Sequence, residues 1–252
     1  MKNLKKVLAL ALAFAMSLTL FAGAAFTDEA SIGIDYQDDV NMLVQLGIIG
    51  GYEDGSFKPQ GTITRAETTK LIYVLNYGYD DAGKLFSGAA CEFTDVAANA
   101  NWAKGYINYC YNQGIVGGVG NKKFNPNGNV TVAELAKMLL VCLGADATKE
   151  GYGGPNWASN VTADAMELGV FDGWTGDPTQ PATRELACKL MRNTIFAPMY
   201  LYNAITGIGS QVNALDGKTE NETLGEKTMG LKHVEGLVVA NPRYTLTIDE
   251  VG

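Results

Sequence analysis

Two glutamates of this 252-residue chain stand at a spacing that suggests a defined role. Glu67 follows Thr64 by three positions, and Glu134 follows Thr131 by three. This is the spacing of a capping box, in which the threonine oxygen accepts a hydrogen bond from the glutamate N–H and the glutamate carboxylate accepts one from the threonine N–H. We therefore interpret both glutamates first as helix caps, with direct ligand contact as the alternative.

Two arginines stand where helix electrostatics do not favour them. Arg65 directly follows Thr64, and Arg184 follows Thr183, which we take as a third N-cap although Leu186 replaces the capping glutamate there. The positive end of the helix dipole disfavours a cation in the first turn. A function in binding therefore explains these arginines better than local stability does.

These patterns recur because the chain contains an internal repeat, which is to be settled before any other interpretation. Shifting the sequence by 67 positions lays Phe26-Thr27-Asp28 on Phe93-Thr94-Asp95, and Gly47–Gly51 on Gly114–Gly118. A looser third copy contains Trp157-Ala158. We assign the copies to residues 26–78, 93–145 and 152–197.

Each copy is predicted to form a helix, a loop and a second helix. In the first copy Val40, Leu43 and Val44 recur at helical spacing, and Gly47 stands where a helix-terminating glycine is expected. Because two helices cannot close a core alone, we expect a mainly α fold in which three helix-loop-helix repeats form a pseudo-threefold bundle.

The segments around the repeats are predicted to be simpler. Residues 79–90 and 148–156 are expected to link the copies, because they are rich in Asp, Gly and Ser or in Gly and Pro. Residues 198–252 are expected to be a linker, irregular from 200 to 226, and the start of an incomplete β-rich region. Its strands are predicted at 234–240 and 244–248.

No metal or cofactor chemistry is indicated by the cysteines and the single histidine. Cys91, Cys110, Cys142 and Cys188 lack a metal-ligand spacing, and His233 stands far from them. Cys110 and Cys142 occupy the repeat positions of Leu43 and Leu75, so we expect buried thiols rather than disulfides. Asp54-Gly55 fits a turn, since no calcium-loop series surrounds it.

Charge and the N-terminal segment bear on location and partners. Residues 1–24 are predicted to be a signal peptide, because three lysines precede an apolar stretch and Ala22-Gly23-Ala24. Removing those three lysines changes the net charge from −8 to −11. We therefore expect a secreted protein whose acidic field attracts neither nucleic acid nor, after signal cleavage, a membrane.

The motifs together resemble the S-layer homology (SLH) domain of bacterial surface proteins, of the type found in clostridia. The resemblance is carried by Phe93–Val96, Trp102-Ala103, Gly47–Pro59 and Thr64–Glu67, which occur in the family's order after a signal peptide. It covers roughly residues 26–197, closely in the first two copies. It implies a cell-wall or cell-surface location and non-covalent binding of cell-wall polysaccharide, typically a polymer ending in a sugar with a pyruvate ketal.

The resemblance also implies site residues, in grooves between neighbouring repeats. An arginine would face the pyruvate carboxylate with its planar fork, helped by the free N–H groups of the first helical turn, and a tryptophan face would stack on the sugar ring. Glycines would allow close approach. The matching positions are Arg65 and Arg184, Trp102 and Trp157, Asp28 and Asp95 as polar partners, and Gly50, Gly51, Gly117 and Gly118.

Several of these positions also admit a structural explanation. Trp102 and Trp157 could be hydrophobic anchors at a helix start, and Asp28 and Asp95 could cap the following turn. Departures from the family pattern also make the grooves unequal. Val132 replaces the arginine of the second copy, so the groove that would use it is expected to be weak or inactive; Asp35 replaces the tryptophan of the first copy.

Three functions remain open. The leading one is a wall anchor that binds cell-wall polysaccharide or peptidoglycan. The second is a structural protein that self-assembles into a surface lattice. The third is an enzyme, either within this chain or in a catalytic domain attached to it. Catalysis by this chain is not expected, because a glycosidase needs two carboxylates across a cleft and the prominent glutamates are explained as caps.

Overall fold

A computed structural model of the protein defines residues 26–212 and 219–232, and the backbone of 237–238 and 248–249. The predicted signal peptide at 1–24 and His233 lie outside the described residues. The helices are α1 (Gln37–Gln45), α2 (Arg65–Tyr77), α3 (Ala82–Leu85), α4 (Val96–Asn99), α5 (Lys104–Asn112), α6 (Val132–Leu143), α7 (Trp157–Glu167), α8 (Arg184–Phe196) and α9 (Leu224–Met229). Short 3-10 turns lie at Glu29–Ser31, Ile34–Tyr36 and Asn101–Ala103.

The predicted mainly α fold is confirmed. The copies contribute the pairs α1 and α2, α5 and α6, and α7 and α8. Gly47 and Gly114 follow the first helix of their copies with φ of 70° and 71°, a left-handed conformation that costs glycine little. Thr64 and Thr131 form the reciprocal capping boxes with Glu67 and Glu134, and Thr183 accepts from the Leu186 N–H without a box.

A ring of three backbone hydrogen bonds closes the bundle. Ile63, Val130 and Ala182 each precede an N-cap threonine, and all three are fully buried. The N–H of Ile63 donates to the Ala182 carbonyl (3.1 Å), that of Ala182 to the Val130 carbonyl (2.8 Å), and that of Val130 to the Ile63 carbonyl (3.1 Å). Every copy thus contacts both others, in pseudo-threefold symmetry.

The same cyclic order occupies the amides at the helix starts. The N–H groups of Arg65 and Ala66 donate to the carbonyls of Gly128 and Pro126, at 2.8 and 2.9 Å. The first two amides of α6 and α8 are bonded equivalently, to residues 178–180 and 59–61. We expected these first-turn amides to be free for a ligand. Instead, each donates to a carbonyl in the loop of the next copy.

The core is continuous through the three copies and includes the cysteines. Phe57 and Phe124, the apolar anchors of their loops, are completely buried; each such side chain stabilises the fold by roughly 1.5–3 kcal/mol. Cys110 and Cys142 are buried thiols, as expected from the leucines at the equivalent positions. Burial raises the pKa of Cys142 to about 12, so the thiol is not reactive at neutral pH.

The described parts of 198–232, which we expected to be a linker, pack on the bundle. The Tyr200 N–H donates to the Leu143 carbonyl at the end of α6 (2.8 Å), and Leu224 in α9 is fully buried. Helix α9 begins at a capping box between Thr223 and Glu226. This segment covers the ends of α2, α6 and α8, opposite the ring.

The strands of the C-terminal region are short. The first antiparallel pair, β1 (Leu201–Tyr202) and β2 (Gly209–Ser210), lies in the segment expected to be irregular. The second pairs β3 (Leu237–Val238) with β4 (Ile248–Asp249), which overlaps both predicted strands and extends one residue past 248. The other positions of these predicted strands lie outside the described residues.

No helix within the described residues has the length and apolarity needed to cross a bilayer.

Candidate functional site

Two cavities open between the repeats, and equivalent residues line them. The first groove, of about 290 Å³, is lined by Gly47, Ile48, Ile49, Gly50, Gly51, Glu67, Lys70, Leu71, Asp80, Trp102 and Arg184. The second groove, of about 360 Å³, is lined by Arg65, Ile115, Val116, Gly117, Gly118, Val119, Glu134, Lys137, Met138, Tyr152, Gly153 and Trp157. Eight of the ten predicted ligand-binding residues lie in these grooves.

Each groove draws on all three copies rather than on two neighbours. The ring brings the start of α8 against the loop of the first copy, so Arg184 enters the first groove, whose opposite wall carries Trp102 of the second copy. By the same arrangement Arg65 of the first copy meets the loop of the second and Trp157 of the third. The cyclic order therefore determines which arginine serves which groove.

The arginines form the buried floor of the grooves. Arg65 is 6% and Arg184 5% exposed. Arg65 Nε donates to the Phe124 carbonyl (2.8 Å) and Nη2 to the Gly117 carbonyl (2.7 Å), while Arg184 donates in the same way to Phe57 (2.7 Å) and Gly50 (2.8 Å). These bonds fix both guanidinium planes, and the carbonyls partly replace the water that each charge loses.

Aromatic rings lie against both guanidinium groups. Arg65 Cζ is 4.6 Å from the centre of the Phe124 ring, and Arg184 Cζ lies 4.5 Å from the Tyr52 ring and 4.9 Å from the Phe57 ring. Such stacking stabilises a desolvated guanidinium. Burial lowers the pKa of Arg65, against the effect of Glu134 and Asp95, but an arginine remains charged at physiological pH.

The capping glutamates also face the grooves. In each, Oε2 accepts the backbone N–H of its threonine at 2.9 Å, which leaves Oε1 for other contacts. Glu67 Oε1 accepts from the Tyr52 hydroxyl at 3.0 Å, and Glu134 Oε1 lies 3.9 Å from Arg65 Nη1. Both interpretations weighed from the sequence, cap and site residue, are thus geometrically compatible.

Two lysines that sequence reasoning missed complete the grooves. Lys70 Nζ lies 3.0 Å from Asp80 Oδ2, and Lys137 Nζ donates to the Tyr152 carbonyl at 2.7 Å. Burial lowers the pKa of Lys137, opposed by Glu134. The signal was present, since both lysines stand six positions after an N-cap threonine, as does Lys189 in the third copy. Asp80 comes from the segment 79–90, expected only to link the copies, and Tyr152 from the overlap of the segment 148–156 with the third copy.

The tryptophans form a side wall in each groove. Trp102 lies in the 3-10 turn Asn101–Ala103 and is 53% exposed, too much for a simple core anchor. Trp157, the first residue of α7, is half-buried against the core, and Lys137 Nζ lies 6.0 Å from its ring. Both rings line their grooves, where the C–H groups of a sugar ring could stack on an aromatic surface.

The loop glycines have different roles within each pair. A Cβ at Gly51 or Gly118 would lie 2.9 Å or less from a phenylalanine ring, so these glycines are required by packing inside the loop. Gly50 and Gly117 accept from the arginines, and a Cβ at either position would meet nothing within 4 Å. Close approach of a ligand is therefore possible at Gly50 and Gly117.

The structure corrects the role expected for the aspartates. Asp28 accepts from the N–H groups of Phe57 (2.7 Å) and Lys58 (2.8 Å), and Asp95 accepts from those of Phe124 and Asn125, both at 2.9 Å. Neither aspartate lines a groove. Both carboxylate oxygens of each aspartate accept backbone N–H groups of a groove loop. The aspartates therefore hold the loops in place.

The third position between the copies, where residue 132 would supply the arginine, carries different side chains from the two grooves. Val132, which replaces the arginine, is 1% exposed. Lys189 Nζ lies 3.9 Å from Asp39 Oδ2, and Arg192 Nη1 lies 3.3 Å from Asp39 Oδ1. An internal carboxylate thus lies between the cations there, and Asp35 stands at the tryptophan position.

Comparison with known proteins agrees with this architecture. The family model of the S-layer homology domain matches residues 25–69 and 92–136. Those ranges contain Thr64–Glu67, Trp102 and the loop glycines of both grooves. The chain therefore carries two S-layer homology domain repeats.

The relatives are surface proteins and an enzyme. The chain is 32% identical over 198 residues to the middle cell wall protein of Brevibacillus brevis (77% of this chain, 18% of that protein). It is 32% identical over 178 residues to a cell surface protein of Thermoanaerobacter kivui (69% and 22%), and 29% identical over 169 residues to an exoglucanase, XynX, of Acetivibrio thermocellus (62% and 15%). The chain spans less than a quarter of these relatives' length. Together the family and the relatives indicate a location at the cell wall or cell surface.

Proposed function

We propose that this chain is a non-covalent anchor that binds a cell-wall polysaccharide in its two grooves and so tethers a surface protein to the wall. The observation that carries the proposal is the matched set of arginine, lysine, glutamate and tryptophan around each open cavity, assembled from three copies. A sequence repeat alone does not require the polar side chains to converge in this way. Their convergence supports recognition of a ligand.

The chemistry of the grooves favours an acidic sugar. The chain is acidic overall, with a net charge of −8, yet each groove contains two cations. A guanidinium and an ammonium group suit a carboxylate such as a pyruvate ketal, the tryptophan face suits the C–H groups of a sugar ring, and the glutamates suit hydroxyls. No ligand role is assigned to Asp28 or Asp95.

The third copy and the ends of the chain are part of the same proposal. Residues 152–197 lie outside the two family matches, but Thr183, Arg184 and Trp157 stand at positions equivalent to those of the other copies, which supports a third repeat. The position at Val132 is proposed not to bind, because Asp39 neutralises the nearby cations. The surface location of the relatives supports a signal peptide at 1–24.

The test is co-sedimentation of residues 25–252 with purified cell walls, before and after acid removal of the secondary polysaccharide. Binding that is lost after removal is the expected result, and binding that persists would indicate peptidoglycan as the ligand. The double variant Gly50→Leu/Gly117→Leu should abolish sedimentation, because leucine side chains would fill open space in both grooves. Gly88→Leu, at an exposed glycine outside the grooves with equally open surroundings, is the control. Failure to bind walls at all would overturn the proposal.

Two other functions involve the whole protein rather than the grooves. The surface proteins among the relatives favour a structural role in a surface lattice, which would appear as ordered sheets of purified protein by electron microscopy. The exoglucanase favours the alternative that the chain anchors a longer surface enzyme. We propose no catalysis by this chain itself; hydrolysis of purified peptidoglycan by residues 25–252 would contradict this.

A further inference from the structure

We infer that the two grooves hold the acidic group of the ligand on different cations, Arg184 in the first groove and Lys137 in the second. The inference rests on the proposed function and adds to it the residue that recognises the charge in each groove. It depends on one sequence difference between the copies, where Tyr52 of the first copy is replaced by Val119 in the second.

In the first groove the arginine is the cation without a counter-charge. Arg184 is only 5% exposed, yet no carboxylate oxygen of the described residues lies within 4.0 Å of its guanidinium nitrogens. The Tyr52 hydroxyl occupies Glu67 Oε1 at 3.0 Å, and the Tyr52 ring lies against the guanidinium. Tyr52 therefore stands between the glutamate and Arg184. The other cation, Lys70, is paired with Asp80 at 3.0 Å.

In the second groove the pairing is reversed. Val119 cannot hold the glutamate, and Glu134 Oε1 lies 3.9 Å from Arg65 Nη1. Lys137 Nζ instead donates to the neutral carbonyl of Tyr152, and no carboxylate oxygen of the described part of the chain lies within 4.0 Å of it. The lysine is therefore the cation that lacks a close counter-charge.

Arg184 is buried and Lys137 is partly buried. A cation that has lost water without gaining a close counter-ion is costly, and an incoming carboxylate relieves that cost. A cation already paired gains less from the same carboxylate, because the ligand competes with the internal partner. Each groove should therefore recognise the acidic group mainly through its unpaired cation. The paired cations, Lys70 and Arg65, then position other parts of the site.

The experiment compares two probes, an N-acetylhexosamine that carries a pyruvate ketal and its neutral methyl ester. Calorimetry measures both affinities. The affinity for the acid divided by the affinity for the ester, called the ratio below, reports recognition of charge. Gly117→Leu blocks the second groove, so that binding to the first can be measured alone. Gly50→Leu blocks the first groove and leaves the second. In the first groove Arg184→Met should lower the ratio about tenfold or more while Lys70→Met changes it little; in the second Lys137→Met should lower it and Arg65→Met should not.

Substitutions at Tyr52 and Val119, the position that differs between the copies, test the inference without removing an arginine. Tyr52→Phe frees Glu67 Oε1 and should lower the ratio in the first groove, and Val119→Tyr should raise the contribution of Arg65 in the second. The same cation type dominating in both grooves, or no effect of these substitutions, would overturn the inference. If the unchanged protein binds neither probe, or binds both equally, the acidic-sugar form of the proposed function fails. If it prefers the acid but neither Arg184→Met nor Lys137→Met lowers that preference, the inference alone fails.

Discussion

The carboxylate of Asp95 accepts the Phe124 N–H at 2.9 Å, across 29 positions of the chain. Its second oxygen accepts the N–H of Asn125, whose φ of 57° is left-handed. Asp28 and Lys58 repeat the arrangement in the first copy. One carboxylate therefore holds each groove loop in a turn that a non-glycine residue rarely adopts.

Asp95→Asn is expected to lower the melting temperature, because a neutral amide is a weaker acceptor for two N–H groups. Burial opposes the effect, but the bonds from Phe124 and Asn125 leave the pKa of Asp95 below its ordinary 3.8. The stabilisation is complete above pH 3.8 and is lost as the pH falls through the lower folded value. Acid melting curves of Asp95→Asn should therefore fall less steeply below about pH 4 than those of the unchanged protein. Glu53→Gln, at an exposed residue of the other loop, is the control; an equal effect there would contradict the prediction.

Asp39→Asn should change the pH dependence in the opposite sense. Burial raises the pKa of Asp39 despite Lys189 and Arg192, and its Oδ2 accepts no hydrogen bond within the described structure. The folded protein therefore binds this proton more tightly than the unfolded chain does. As the pH falls from above the folded pKa of Asp39 towards 3.8, protonation of Asp39 should increase the free energy of unfolding.

In Asp39→Asn that gain should be absent from urea-unfolding curves measured at successive pH values. Asp35→Asn, at an exposed aspartate nearby, is the matched control. A gain of the same size in Asp39→Asn would show that the proton binds elsewhere.

Gly144→Ala is expected to destabilise the protein more than Gly114→Ala. Both glycines are left-handed, with φ of 112° and 71°, so alanine at either costs about 1–2 kcal/mol. A Cβ at Gly144 would also clash with the Tyr200 carbonyl oxygen, whereas one at Gly114 would meet nothing within 4 Å. Thermal unfolding of the two variants should therefore differ in that order, and equal losses would mean that the Tyr200 segment yields easily.

Leu224→Ala should cost about 3 kcal/mol, the usual loss for a buried leucine. Leu224 is fully buried, while Leu201 in the same C-terminal segment is 51% exposed and provides the matched control. Denaturant unfolding measures both. A chain that ends at residue 197 should be less stable than one that ends at 232; equal stability would show that the segment adds no support to the bundle.

The repeat predicted much of the site because equivalent positions keep equivalent roles. The family resemblance carried by the repeated motifs selected Arg65, Arg184, both tryptophans and the loop glycines, which line two grooves in the structure. It did not show that an arginine serves the loop of another copy. That assignment depends on the ring at Ile63, Val130 and Ala182, which has no sequence signature.

Other features escaped because their partners are distant or inconspicuous. The family resemblance suggested Asp28 and Asp95 as polar partners in the site, with a turn-capping role as the alternative. The sequence does not reveal that they accept the backbone N–H groups of residues 57–58 and 124–125. Lys70 and Lys137 resemble ordinary surface lysines unless their common offset is noticed. Helix α9 could have been found, since Thr223 and Glu226 repeat the capping spacing of Thr64 and Glu67.

The ring of Ile63, Val130 and Ala182 also means that none of the three described copies stands at the end of an array. Linear arrays expose a face at each end and need special capping units. Here the third copy covers the first, so every copy has two neighbours. New chain ends introduced by circular permutation in the segment 79–90 would leave that circuit intact, whereas a fourth inserted copy would have to break it open.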